Sequence, residues 1–525
     1  MRLIRSTATV GLFTLMSRVL GLVRDILMAR FLGASVINDA LVTAMKLPNL
    51  FRRMFAEGAF NAAFVPLYAR RLEEEGEEGA ANFAGEALSA LLVLVIFIVL
   101  AFQITMPVSL NMIGFGLDRT AEVGPAPYDL AVGYARLTMP YLALMSVAAL
   151  LSGMLNTHHK FAAAAFAPVL LNILLISILA ATPAMGWDAP EIGKWVSLGM
   201  SLSGIAQVLL LIWAVRRGGL RLRILRPRLT PGVRRLIALG VPGLIAAGIT
   251  QINITVSHSI ATLQDQAASW LYYSDRLYQL PLGLIGIALG IALLPSLSRS
   301  LRGGRNEEAL HTQNRGLEFA LLLTLPASVA LFILSEFLIG GLFERGRFGI
   351  EDTLQSARAL RMFALGLPAF VLLKVLTPAF FAREDTRTPM IWAGVSAILN
   401  LTLGAYLFFY GSIFIGGFVG LALATSVAAW VNVLGLAVIL SRRNLVRLDR
   451  RLWSRLPRIG LAAIFMGVAL WFAEPYTLEL PGGTMIADYL WLILVCGAGI
   501  GVYGLCALLL GAVRLSDLRQ TLAKP

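Results

Sequence analysis

Apolar runs about 20 residues long, the length a helix needs to cross the hydrocarbon core of a bilayer, follow one another about fourteen times in this sequence. Their approximate extents are 7–31, 35–69, 82–111, 129–156, 162–184, 192–215, 233–261, 268–298, 315–342, 354–382, 388–410, 413–440, 456–473 and 486–512. The runs nearly exhaust the 525 residues and leave no length for a soluble domain. Composition agrees: 58% of residues are hydrophobic, 14% are charged, and the mean hydropathy is +0.77. Backbone groups in lipid must be satisfied within the chain, and the runs are continuous rather than alternating, so they are helices and not barrel strands. The expected fold is all-α: a polytopic membrane protein with about fourteen transmembrane helices.

The net charge of +14 could suggest a nucleic-acid partner, but its distribution argues against one. Basic residues cluster in alternate short connections: Arg70 and Arg71; Lys160; the arginines between Arg216 and Arg235; Arg299, Arg302 and Arg305; Arg383 and Arg387; and those between Arg442 and Arg458. The intervening connections LDRTAEVGPAPYD, GWDAPEIGK, LQDQAAS, FERGRFGIED, FYGSIFIGG and AEPYTLELPGG are poor in Lys and Arg. The positive-inside rule therefore places the basic set and both termini in the cytoplasm. Acidic residues count little in that rule, and LEEEGEEG reads as a solvated loop. Arg2 and Arg5 precede an apolar run as in a signal peptide, yet no small-residue cleavage site ends that run, so it is expected to be a retained first span. Cys496 and Cys506 lie ten residues apart in the last span, about 15 Å along a helix axis, too far for a disulfide.

The chain also contains an internal echo. Pro140 and Asn172 recur as Pro368 and Asn400 at one common offset, and Pro66 recurs as Pro295 at an offset longer by a single position. The shared offset suggests a duplicated six-helix unit in one orientation, as in parallel-repeat transporters. The expected organisation is an N-terminal lobe at 1–218 (spans one to six), a C-terminal lobe at 219–445 (spans seven to twelve) and a terminal helix pair at 446–525.

Charges interrupt this apolar pattern most densely between Met16 and Phe60, where Arg18, Arg24, Asp25, Arg30, Asp39, Lys46, Arg52, Arg53 and Glu57 fall within two spans. A charged side chain at a helix centre costs about 2.5–3.5 kcal/mol, so such residues face protein or water rather than lipid. Arg30 and Arg70 lie near span ends and can snorkel, and Arg53 with Glu57 has the spacing of an i,i+4 pair. Arg18, Arg24 and Arg52 are expected to face a cavity. Gly21 offers a bend that would turn Arg18 and Arg24 together, and Pro48 is expected to disrupt the second span just before Arg52. In the second repeat, LYYSDRLYQLPLG carries Asp275 and Arg276 ahead of Pro281. The four arginines would line a cleft between the repeats. A cationic cavity selects an anion, and the planar guanidinium fork favours a phosphate or pyrophosphate over a halide.

The segments MSRVLGLVRD, KLPNLFRRMFAEGAFNAAFVP, LNTHHKFAAAAFAPVLLN, YYSDRLYQLPLGLIGIALGIALLPSLS and KVLTPAFFAREDTRTP closely resemble the MurJ (MviN) family of bacterial lipid II flippases, part of the multidrug, oligosaccharidyl-lipid and polysaccharide exporter superfamily. The resemblance runs from the first span through the twelfth, while the last two spans match in placement more than in motif. It implies two six-helix lobes plus a terminal pair with an apolar groove for a polyprenyl tail, in the bacterial inner membrane. The implied activity is transport by alternating access, and the implied substrate is lipid II, the undecaprenyl-pyrophosphate-linked disaccharide-pentapeptide. Arg18, Arg24, Arg52 and Arg276 match the family's cavity arginines, and Asp39 and Asp275 match its functionally sensitive acids. Gln279 departs from relatives that carry a carboxylate there.

No cofactor is expected, and no Gly-x-x-x-x-Gly-Lys loop for ATP is present. The membrane potential can drive the cycle, and coupling to a monovalent cation stays open, with Asp39 and Asp275 as candidate ion sites or as counter-charges for the arginines. Expected partners are lipid II, membrane lipids and other proteins of cell-wall synthesis. Two alternatives remain: a glycolipid or multidrug exporter of the same superfamily, and an enzyme acting on lipid pyrophosphate. His158, His159, His258 and His311 do not group with carboxylates as a hydrolase would require.

Overall fold

The computed structural model describes residues 2–53, 60–118, 125–223, 225–412, 415–443, 445–477 and 485–513. Helices follow in the order α1 (Arg2–Leu32), α2 (Val36–Arg52), α3 (Phe60–Asn111), α4 (Pro127–Thr138), α5 (Pro140–Thr157), α6 (Phe161–Met185), α7 (Ala189–Arg217) and α8 (Pro231–Ala261). They continue with α9 (Ala267–Arg302), α10 (Asn306–Ile333), α11 (Ser335–Phe343), α12 (Ile350–Phe381), α13 (Arg387–Tyr410), α14 (Phe418–Arg442), α15 (Arg450–Thr477) and α16 (Met485–Leu509). Among the described residues there is no strand. Among the described residues, ten helical stretches are long and apolar enough to cross a membrane, and the protein is a multi-pass membrane protein. The remaining expected spans coincide with α1, with α2 and the start of α3, with α8 and with α9. All six expected site residues sit on α1, α2 and α9, outside the ten stretches.

Two local expectations are corrected. The acidic segment LEEEGEEG is helical, not a loop, with only Gly76 leaving helical geometry at φ 70°, ψ −167°. Arg70 pairs with Glu74 at 2.7 Å and Arg71 with Glu75, the i,i+4 contacts that stabilise an exposed helix surface. The combination of φ and ψ at Gly76 is essentially confined to glycine. Pro48, expected to disrupt the second span, instead lies inside α2, which continues to Arg52. Glu57, the expected partner of Arg53, and the C-terminal tail expected in the cytoplasm lie outside the described residues.

Proline inside a helix deprives the carbonyl four residues earlier of its donor, and in lipid no water replaces it. At Pro48, Pro326 and Pro368, and at Pro140 where α4 meets α5, a side chain of another helix supplies it. The Thr138 hydroxyl reaches the Ala44 carbonyl freed by Pro48 (3.4 Å), and Gln103 Nε2 donates to the Arg136 carbonyl freed by Pro140 (2.8 Å). Tyr503 donates to the Leu322 carbonyl freed by Pro326 (2.7 Å), and Ser328 to the Ala364 carbonyl freed by Pro368 (2.6 Å).

The chain divides into two compact units. The first comprises Met1–Ser269 with Arg345–Phe348, the second Trp270–Glu344 with Gly349–Pro525. In the first, α1 packs on α6, α2 on α4, α3 on α5 and α8, and α7 on α5 and α6. One core gathers Met28, Leu41, Met106, Leu142 and Leu179; another gathers Phe64, Phe83, Leu151 and Leu211. The Arg347 backbone N–H donates to the Arg30 carbonyl at 2.9 Å, which fastens the 345–348 segment to the end of α1. A side chain at Gly346 (φ +64°) would strike that carbonyl. In the second unit, α12 packs on α10 and α14, α13 on α14, and α10 on α15, which pairs with α16. A buried ionic knot fastens α15: Glu318 of α10 meets Arg455 at 2.5 Å, Arg451 at 3.3 Å and Arg315.

Each unit repeats the same internal ties. Ser201 Oγ donates to the Leu137 carbonyl and Ser426 Oγ to the Met362 carbonyl, both at 2.6 Å, with donor and acceptor displaced along the chain by the same interval. The α5–α6 turn bends at His159 (φ 57°), and Lys160 Nζ donates to the Gly218 carbonyl at 2.5 Å. The α12–α13 turn bends at Glu384 (φ 62°), and Arg443 pairs with Asp385 at 2.7 Å, each partner again displaced by that interval from Gly218 and Lys160. The interval falls three positions short of the offset that joins the paired prolines and asparagines, close to one helical turn.

Candidate functional site

On α1, Gly21, the expected bend point, does not break the helix, which runs unbroken from Arg2 to Leu32. Gly21 instead faces Asn172 of α6; a Cβ there would lie 3.8 Å from both amide atoms. Arg24, with its side chain 15% exposed, is held from two directions. Its Nε (3.0 Å) and Nη2 (2.7 Å) donate to Asp25 Oδ1, and its Nη1 donates to Asn172 Oδ1 at 3.1 Å. Asp25 is buried and is engaged by its chain neighbour Arg24. Arg18 is partly buried and forms no ion pair among the described residues. Arg30 is exposed beside Phe31, its guanidinium 5.6 Å from the ring centre, as a residue at a span end should be.

The helix α2 starts at Ser35, whose hydroxyl accepts from the Asn38 backbone N–H at 3.2 Å. Asp39, one turn in, is buried, and its carboxylate accepts two bonds from Ser269, from the backbone N–H at 2.7 Å and the hydroxyl at 2.5 Å. Asn38 Nδ2 donates to the same hydroxyl at 2.9 Å. Ser269 lies in the first turn of α9, where backbone N–H groups lack helical acceptors and a carboxylate is favoured. Asp39 thus anchors a helix start and is bonded by Ser269, where the sequence suggested a counter-charge for arginine. One turn further, Thr43 Oγ1 meets His258 Nε2 of α8 at 3.0 Å. At the other end of α2, Arg52 Nε donates to Asn49 Oδ1 at 3.2 Å, while Arg53 is exposed.

In the second unit, Arg276 lies over the Tyr272 ring at 4.5 Å from its centre, one turn earlier on α9, a cation–π arrangement. Gln279 donates its amide to Asp275. A carboxylate at position 279 would repel Asp275 at this spacing, whereas the amide binds it. The start of α9 is fixed to α12: Trp270 Nε1 donates to Asp352 at 3.1 Å, and Ser274 Oγ to the Ser356 carbonyl at 2.6 Å. Tyr278 packs between Phe363 and Phe370, with ring centres 5.6 and 5.5 Å away.

The cations of α12, Arg358, Arg361 and Lys374, lie outside the set expected from the sequence. Lys374 is exposed in the apolar run LGLPAFVLLKVLTP, and its Cγ would sit 3.6 Å from a Cβ placed on Gly286 of α9. A lone lysine in a span was the available signal. Asn172 is a second residue that the intramembrane charge pattern passes over, because it carries no charge.

Outside the spans, burial lowers the pKa of His158, which bonds Tyr68 through Nε2 at 3.1 Å. Asp385 is held down to about 2 by the Thr388 backbone N–H (2.9 Å), then the Thr388 hydroxyl (2.7 Å), then Arg443.

The arrangement offers fixed guanidinium donors on apolar helices, a setting for binding an anion. A family profile described as "Lipid II flippase MurJ" matches residues 28–490. A protein of Rhizobium meliloti (strain 1021) named "Probable lipid II flippase MurJ" is 43% identical, the alignment covering 100% of this chain and 97% of the relative. A solved structure titled "Lipid II flippase MurJ, inward closed conformation" has a TM-score of 0.75 at 24% identity and covers 98% of this chain and 99% of that one. An inward-facing multidrug resistance MATE family transporter of the MOP superfamily has a TM-score of 0.69 at 15% identity, covering 83% and 98%. The two structural likenesses establish the fold, and the profile and the sequence relative establish the family: the chain belongs to the lipid II flippase MurJ family.

Proposed function

We propose that this chain carries lipid II from the cytoplasmic to the outer leaflet of the bacterial inner membrane by alternating access, with both termini in the cytoplasm. The supporting observation is the Arg24 guanidinium gripped by Asp25 and Asn172 on otherwise apolar helices, in a chain 43% identical from end to end to a named lipid II flippase. Arg18, Arg24 and Arg52 bind the pyrophosphate, and Arg276 contacts the headgroup during its passage. Lys374 adds a further cation to the second unit's share of the work. Asp39 and Asp275 shape the site by anchoring, Asp39 through Ser269 and Asp275 through Gln279.

A pyrophosphate diester carries about two negative charges, and an inside-negative potential favours its outward movement by about 2.3 kcal/mol per charge per 100 mV. When the arginines neutralise the headgroup, the same potential draws the empty cationic site back. The test is reconstitution in vesicles with lipid II on one leaflet and a readout of its appearance on the other. Transport of lipid II that follows an imposed potential supports the reading. Transport of an unrelated amphipathic cation with lipid II left in place favours a multidrug exporter instead.

A further inference from the structure

Asn172 is an amide in the apolar sequence LLNILL, only 5% exposed on a helix with a high apolar content. A buried amide there needs both ends satisfied. Both are, and the partners fix its orientation. Arg24 has only donors, so Oδ1 faces it at 3.1 Å; the Ser17 carbonyl only accepts, so Nδ2 faces it at 2.9 Å. The Ser17 hydroxyl lies 3.3 Å from the same Nδ2. Ser17 and Arg24 are seven residues apart on α1, two turns along one face, and Gly21 between them leaves the amide room to lie against the helix.

Asp25 takes the Nε and Nη2 edge of the guanidinium and Asn172 takes Nη1, so the plane of the guanidinium is gripped on two sides. Asp25 already sets one carboxylate against Arg24, and an aspartate at position 172 would add a second, leaving the cluster net negative and repelling an anion. An amide orients the guanidinium without adding negative charge.

We propose that Asn172 is a positioning residue for pyrophosphate recognition: anchored on the Ser17 carbonyl, it sets the Arg24 guanidinium plane without adding a second carboxylate beside that of Asp25. This rests on the reading that Arg24 binds the lipid II headgroup. Pre-set donors bind more tightly than donors that must be ordered on contact.

The test measures lipid II affinity and melting temperature for the purified full chain and four variants: Asn172→Leu, Asn172→Asp, Arg24→Ala and the double Arg24→Ala/Asn172→Leu. Asn172→Leu is expected to weaken binding about tenfold, the loss that accompanies one charge-assisted hydrogen bond. In the Arg24→Ala background, the same change is expected to alter affinity less than twofold. Asn172→Asp is expected to weaken binding although the protein melts no lower than wild type. If Asn172→Leu weakens binding equally in both backgrounds, the role is structural and the proposal fails. If Asn172→Asp binds as wild type, the need for a neutral amide fails, and this variant decides the matter should the leucine variant not fold. Wild-type affinity in Arg24→Ala overturns the underlying reading of Arg24, an outcome separate from the other two.

Discussion

Ser328 supplies the bond that Pro368 withholds: its hydroxyl donates at 2.6 Å to the Ala364 carbonyl, which the proline four residues later cannot serve. Gln103, Tyr503 and Thr138 do the same for Pro140, Pro326 and Pro48. Ser328→Ala should lower stability by about 1–3 kcal/mol, the cost of a buried acceptor left without a donor. In a Pro368→Ala background, where the backbone donor returns, the same change should cost little. Thermal unfolding of the four proteins in detergent checks this, and equal losses in both backgrounds would refute the compensation.

The carboxylate of Asp39, bonded twice by Ser269, predicts a stability effect independent of substrate. Asp39→Ala should cost about 1.5–3 kcal/mol, as for bonds to a charged acceptor, and Ser269→Ala about 0.5–1.5 kcal/mol. The two losses should be strongly non-additive. A melting temperature for Asp39→Ala equal to that of wild type would show that its bonds to Ser269 carry no stability.

Arg455, Arg451 and Arg315 converge on the Glu318 carboxylate, and Arg315 also pairs with Asp449. Removing one partner of a buried pair leaves uncompensated charge, and Glu318→Ala should cost about 3 kcal/mol. Because the knot fastens α15 to α10, trypsin should cleave at Arg450 and Arg451 much faster in the variant than in wild type. Unchanged proteolysis would show that α15 is held elsewhere.

Much of this organisation was legible in the sequence. Hydropathy alone located the helices, because a bilayer demands a run of fixed length and helical backbone within it. It failed where polar residues form helix: Glu73 to Glu78 read as a loop, yet Arg70 and Arg71 reach forward to Glu74 and Glu75 and hold the turns. Arg18, Arg24 and Arg52 stood out because charge in a span is costly, whereas Asn172, far from Arg24 in the chain, gave no such signal. Asp39 was visible as a charge, but its partner Ser269 depends on how α2 and the start of α9 meet, which spacing along the chain does not encode. The echo of prolines and asparagines pointed to a repeat, but the bonds that recur in the structure lie close to one turn away from it.

Asp385 gives a pH dependence with a definite sign. Its folded pKa of about 2 lies below the ordinary aspartate value of about 3.9, so its contribution to stability is fully present above that value. The contribution is lost as pH falls from about 4 through about 2, as the carboxylate protonates and releases the Thr388 N–H, the Thr388 hydroxyl and Arg443. Asp385→Asn should flatten the melting temperature between pH 4 and pH 2 relative to wild type. Parallel slopes in the two proteins would contradict the assignment.

The central claim is that guanidinium groups on α1, α2 and α9 carry the headgroup of lipid II. The most direct measurement is the accessibility of lipid II in the outer leaflet of cells whose own flippase is depleted and replaced by this chain. With expression and membrane insertion matched to wild type, Arg18→Ala, Arg24→Ala, Arg52→Ala and Arg276→Ala should each leave lipid II in the inner leaflet. The lysine variants should restore it only in part, because lysine lacks the bidentate fork. Arg30→Ala and Arg53→Ala, at exposed positions, should export lipid II nearly as well as wild type. Outer-leaflet lipid II at wild-type levels in the four alanine variants would contradict the account.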